Sequence, residues 1–225
     1  MLTLPEELLL LALDDEKGKT VGSAAGALPF GLAGALIFEL HLSEQIALRG
    51  KNVTVTDNGP LDDEILDLGL RHIRDSKKVR SLDYWIGSLS SKIRDLQQRI
   101  IDRLISKGIL KQEEQRVLWV FPVQRYPTDD PRTESDVRKR IRSVILHGKQ
   151  PDLRTVLLLS LVKACNLIPE VFRKDEVEHA KERIEHLTQK EPVGEAITHA
   201  VQAVQAAVIA SIMASTVMTT AISTR

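Results

Sequence analysis

The chain has 225 residues, 43% hydrophobic and 28% charged, and its 31 basic and 31 acidic side chains balance to a formal net charge of zero. That apolar content excludes a disordered chain, and the length suits one large domain. The lack of a basic excess argues against a dedicated nucleic-acid binder, and the single cysteine rules out an intrachain disulfide.

In chain order, Leu2-Thr3-Leu4-Pro5-Glu6-Glu7 reads as the opening of a helix. Thr3 is a capping residue, Pro5 suits an early position whose N–H has no partner, and the two glutamates face the positive helix end. Leu8 to Leu13 is the core run of that helix. The same glutamates stand where a secretory leader would carry positive charge, so no signal peptide is expected. Asp14 to Lys19 is a charged turn. Val21 to Leu40 reads as a second helix, rich in glycine and alanine, with Pro29 as a kink or a start. Its helical pattern is strongest from Leu32 to Leu42.

Gln45–Leu48 and Val53–Val55 flank Arg49-Gly50-Lys51-Asn52, a hairpin signal. Asn58-Gly59-Pro60 breaks the chain. Helices are expected at Leu61–Ile73 and Ser81–Leu89. Ile93–Ile105 gives a cleaner amphipathic pattern, ended by Lys107-Gly108. A second hairpin is expected from Leu110-Lys111 and Val117–Phe121 around a polar turn at Gln112–Gln115. Thr128–Ser135 reads as a linker, Asp136–Leu146 as a basic helix and His147–Asp152 as a turn.

Leu153 to Ile168 is apolar on nearly every side of a helix, so it has to be covered on every side. It falls short of the roughly 20 apolar residues that span a bilayer, which makes it a buried core helix. Pro169–Thr188 is a charged amphipathic helix, and 193–225 an Ala-rich helical tail. The expected fold is therefore mainly α. A single globular domain, 1–225, surrounds a central hydrophobic helix with amphipathic helices and adds two short β-hairpins.

Chemistry-bearing patterns are sparse. Gly18-Lys19-Thr20 lacks the glycine that a phosphate loop needs five residues earlier, where Leu13 stands. His41, His72, His147, His179, His186 and His199 read as surface histidines; His179 and His186 share a face around Glu182 but lack a third ligand. Cys165 reads as a buried thiol. No nucleophile–base arrangement stands out, so no enzyme activity, catalytic residue, metal or cofactor is expected. The informative cluster is Arg138, Lys139, Arg140 and Arg142, with His147 and Lys149 beyond it. Arg138 and Arg142 share a helix face, Arg140 sits away from them, and guanidinium forks match phosphate oxygens. The blander alternative is a solvated face paired with Glu134 and Asp136. A second basic run, Arg71, Arg74, Lys77, Lys78 and Arg80, is weaker. The two helix–hairpin units also resemble winged-helix modules, which makes a DNA-binding regulator the alternative function.

Four segments in order, Leu2–Leu11, Gly31–Leu40, Arg99–Leu110 and Leu153–Phe172, resemble the Golgi phosphoprotein 3 family, with a GPP34-type domain of a divergent, prokaryotic kind. The resemblance implies a mostly helical fold around one buried helix and a non-enzymatic, peripheral membrane protein. It implies recognition of phosphatidylinositol 4-phosphate and, in eukaryotes, retention of Golgi glycosyltransferases. The family's headgroup pocket uses a tryptophan and an arginine where Ala24 and Ala33 stand here. Its remaining basic residues are placed on the helix that carries Arg138, Arg140 and Arg142. The family's aromatic membrane-inserting loop is reduced here to His147–Asp152. The expectation is a lipid-binding adaptor, cytoplasmic and peripheral at the cytoplasmic face of a membrane. Arg138, Arg140 and Arg142 would bind an anionic phospholipid headgroup or membrane surface. Cytosolic tails of membrane enzymes and further copies of the chain are the other expected partners, and nucleic acid is not.

Overall fold

The computed structural model describes residues 1–14, 17–56, 59, 61–93, 95–117, 121–189, 198, 201–206 and 209–210. The first helix, α1 (Leu4–Ala12), starts as the sequence predicts: the Glu6 carboxylate accepts the Thr3 N–H at 2.8 Å, closing the first turn. Its burial is a surprise, because every residue of α1 is buried, Glu6 and Glu7 included. The second helix, α2 (Leu28–Leu42), has Pro29 in its first turn rather than a kink there, and Val21–Ala27 is a run of turns. Proline fits the first turn, whose N–H groups have no helical acceptor.

A hairpin follows as expected, β1 (Ile46–Arg49) against β2 (Asn52–Val55), in register Ile46↔Val55. A short third strand that the sequence did not announce, β3 (Arg80–Ser81), extends it to the order β1-β2-β3. Between them runs α3 (Glu64–Arg74), capped by Asp63, which accepts the Ile65 and Leu66 N–H groups. Next come α4 (Leu82–Lys92) and α5 (Leu96–Ser106), the latter starting later than expected because Asp95 adopts left-handed backbone at φ 58°.

The second hairpin is shifted from its expected position. β4 (Glu113–Val117) pairs with β5 (Phe121–Arg125), closing at Val117↔Phe121. The stretch read as a polar turn is thus strand, and the stretch read as a strand spans the connection, whose residues 118–120 lie outside those described. Glu113 and Glu114 are exposed, so this ladder leaves polar side chains in water and hides its alternation. The two helix–hairpin units are therefore not copies: one builds three strands, the other two.

The expected linker at Thr128–Ser135 is partly helix. α6 runs Pro131–Leu146, with the Asp130 carboxylate accepting the Arg132 N–H. The expected core helix is shorter than predicted: α7 (Leu153–Ala164) stops at Cys165, and Asn166 turns the chain at φ 56°. Asparagine tolerates that conformation, and Pro169 restarts a helix rather than continuing one. The segment read as one helix from Pro169 is α8 (Ile168–Val171) followed by α9 (Val177–Gln189).

One hydrophobic core runs from Leu4 to Val204. Its centre is shared: α1, α2 and α7 pack on one another, with Leu8, Leu36, Phe38 and Leu158 fully buried. Each such side chain contributes about 1.5–3 kcal/mol. Gly31 lets α2 approach the end of α7, because a Cβ there would lie 2.2 Å from Cys165 Sγ. Among the described residues no helix is long and apolar enough to cross a membrane. The Ala-rich tail at 193–225 falls largely outside the described residues; within it 201–206 are helical, with Val201 and Val204 buried.

Candidate functional site

α6 carries the predicted cations, and it packs chiefly on α1, α9 and α7. That packing decides where each guanidinium goes. Arg138 Nε donates to Glu134 Oε1 at 2.6 Å and its Nη1 to the Glu170 carbonyl at 2.5 Å. Arg142, one turn on, forks onto Glu176 at 2.7 and 2.8 Å and stacks over Phe172 at 5.8 Å. That bond raises the Arg142 pKa and, with the Arg173 N–H, takes the Glu176 carboxyl down to about 2. Arg140 points elsewhere and bonds the buried Glu7 at 2.6 Å. Arg138, Arg140 and Arg142, the expected headgroup ligands, thus each have an acceptor within the fold. Only Lys139 stands out into water, 74% exposed and 3.5 Å from Asp136.

Arg138, Lys139 and Arg142 nonetheless line one groove of about 520 Å³, with Thr128, Ser135 and Glu134. Arg140 does not reach it. The residues that sequence reasoning left out of the site are Lys139, which it placed in the cluster but not in contact, and the hydroxyls of Ser135 and Thr128. The i, i+1, i+4 spacing from Arg138 carried the first of these signals.

Below α6 lies a charge network inside the fold. Arg154 bonds both Glu39 carboxylate oxygens at 2.9–3.1 Å and the Leu2 carbonyl at 2.8 Å. Burial raises the Glu39 pKa, while the Leu4 N–H and Arg154 oppose that rise. Glu6 takes Lys107 at 2.6 Å, and Arg103 forks onto Asp63. Burial would raise Asp63 too, but the Arg103 bonds and backbone N–H groups bring it below its ordinary value. Each of these carboxylates has a basic partner, so the network holds helices together.

Ala24 and Ala33 are fully buried, and neither lines the α6 groove. Alanine supplies neither the indole nor the guanidinium that the resemblance implies at those two positions. α2, which carries Ala33, packs chiefly on α1, α4 and α7. In the turn before α7, Asp152 is occupied in capping, accepting the Thr155 N–H at 2.7 Å. Gly18-Lys19-Thr20 is no phosphate cradle: Gly18, at φ 56°, is pressed against the Tyr126–Pro127 backbone, and Thr20 bridges to Leu13. Beside it a cavity of about 470 Å³ is walled by amides, with Lys19, Gln97, Gln98 and Tyr126 among its lining. His41 and His179 contact the Ile46 and Ile145 carbonyls. His199 lies outside the described residues. No group of three or more metal-type side chains occurs among the described residues.

Two comparisons bear on this geometry. The family profile described as Golgi phosphoprotein 3 (GPP34) matches residues 4–204. Vacuolar protein sorting-associated protein 74 of Schizosaccharomyces pombe is 26% identical over 165 residues, covering 64% of this chain and 48% of the relative. The chain thus spans about half the length of that relative. Neither description is of a DNA-binding regulator, the alternative raised by the helix–hairpin units.

Proposed function

Because the chain belongs to the Golgi phosphoprotein 3 (GPP34) family, we propose that it is a non-enzymatic adaptor, peripheral at the cytoplasmic face of a membrane. Its α6 groove takes an anionic phospholipid headgroup of the phosphatidylinositol 4-phosphate type. The observation that carries this reading is the convergence of Arg138, Lys139 and Arg142 on one groove with two hydroxyl side chains at its wall. Lys139 supplies the exposed charge that captures a phosphate. The two guanidinium groups then share their N–H donors between it and their carboxylates, as charge-assisted bonds allow. Arg140 is a positioning residue for α1 and does not contact the ligand. Cytosolic tails of membrane enzymes are the proposed cargo, consistent with a relative named for protein sorting.

Vesicle sedimentation tests the proposal. Vesicles containing phosphatidylinositol 4-phosphate should carry down the wild-type chain, and neutral phosphatidylcholine vesicles should not. Lys139→Glu combined with Arg138→Gln should abolish that preference while circular dichroism stays unchanged. Equal sedimentation with both vesicle types, or a folded double variant that still prefers the anionic ones, would overturn it. Arg142 is left in place because it holds Glu176 and its loss would confuse folding with binding.

A further inference from the structure

The corner between α3 and α4 differs from α6 in one respect that bears on a membrane. We infer that it is a second contact surface whose occupant is an anionic bilayer, an inference that rests on the peripheral-membrane reading above. Lys77, Lys78, Val79 and Arg80 are all exposed. Among the described residues Lys77 and Lys78 make no ion pair, whereas every arginine of the α6 groove does. Val79 is 62% exposed, the most exposed large hydrophobic side chain after Met1 among the described residues, and Tyr84 is 41% exposed. The Arg80 guanidinium sits over the Tyr84 ring at 4.8 Å.

The corner is firmly based. Ser76 Oγ donates to the Lys78 carbonyl at 2.8 Å, closing the turn. Arg80 then pairs with Val53 in the sheet, and the Leu82 N–H reaches the Lys51 carbonyl at 2.8 Å. Trp85, buried, meets Tyr84 edge-on at 5.2 Å from below. The acids nearby are Asp75 and Asp83, both exposed, fewer than the cations Arg74, Lys77, Lys78, Arg80 and Lys92.

An apolar tip ringed by cations matches the layering of an anionic membrane, with charge outermost and hydrocarbon beneath it. Tyrosine favours the headgroup level between the two. An acidic peptide would satisfy the lysines but leave Val79 in water. Each lysine near such a surface is worth about fivefold in affinity, so losing both costs about 30-fold.

The test places an environment-sensitive dye at the tip, through Val79→Cys in the full chain. Cys165 is fully buried, so the label goes to the new thiol. The dye should brighten and shift to the blue with phosphatidylserine–phosphatidylcholine vesicles and stay unchanged with phosphatidylcholine alone. Lys77→Ala with Lys78→Ala should lower vesicle affinity about 30-fold. Wild-type sedimentation with a silent dye, or with no loss in the double variant, would overturn this inference and leave the α6 reading standing. No sedimentation by the wild type on any anionic vesicle would overturn both. A dye response to a soluble polyglutamate peptide but not to vesicles would mark a peptide site and also refute the inference.

Discussion

Replacing Arg154 with methionine removes a guanidinium that meets Glu39 through four N–O separations of 2.9–3.1 Å. Both side chains are only 12% exposed, and Glu7 lies 4.0 Å from Arg154 Nε. Methionine keeps most of the apolar stem, so the perturbation is chiefly of charge. Glu39 retains one donor, the Leu4 N–H at 2.6 Å, and Glu7 retains Arg140. Removing one partner of a buried pair costs about 3–5 kcal/mol, and those surviving donors put Arg154→Met at the lower end, about 3 kcal/mol. For a chain of this size that lowers Tm by about 6–12 °C. Adding Glu39→Gln removes the stranded charge and should recover about half the loss. Urea unfolding followed by circular dichroism measures both variants. A loss below about 1 kcal/mol, or a double variant less stable than Arg154→Met alone, would refute the reasoning.

Gly31→Ala forces a Cβ to within 2.2 Å of Cys165 Sγ and should cost about 1–3 kcal/mol. Cys165→Ala in the same chain should relieve it, and Gly22→Ala, whose Cβ meets open space, is the control; thermal melts that fail to separate the two glycine variants would contradict the close approach. Glu176 is held at about 2 against an ordinary 4.5. A depressed carboxyl stabilises the fold above its ordinary value and loses that contribution as pH falls through the folded one. The advantage of wild type over Glu176→Gln in Tm should therefore fade between pH 4.5 and 2, and an advantage undiminished at the acid end would sink the assignment. Burial pushes the Cys165 thiol up to about 12, so iodoacetamide should modify it only after unfolding, as read by mass spectrometry. Rapid modification of the folded chain would contradict that burial.

Local signals made much of this fold legible. Thr3, Pro5 and Glu6 announced α1, the apolar run from Leu153 announced α7, and the Gly50 region announced the first hairpin. What stayed hidden depends on residues far away in the chain. Glu6 and Glu7 read only as acids at the positive helix end, because their partners Lys107, Arg140 and Arg154 lie far along the chain. Helical spacing correctly put Arg138 and Arg142 on one face and Arg140 off it. Nothing local could show that Glu170 and Glu176 would supply acceptors from α8 and the start of α9. The second hairpin was misplaced because its first strand, Glu113-Glu114-Gln115-Arg116, carries no apolar alternation. The basic run at 71–80 looked weaker than that on α6, since counting charges cannot tell that Lys77 and Lys78 make no ion pair among the described residues while the α6 arginines do.

The acids of α1 set a timetable for synthesis. Glu7 bonds a partner 133 residues later, and the Leu2 carbonyl one 152 residues later. At about 5–20 residues per second, the ribosome delivers Arg154 roughly 8–30 s after the first turn emerges. Throughout that wait α1 has α2 to pack on but lacks the cover of α6 and α7, and Glu7 keeps its hydration water. The buried charge network around α1 therefore closes only when the α6 and α7 arginines have been made.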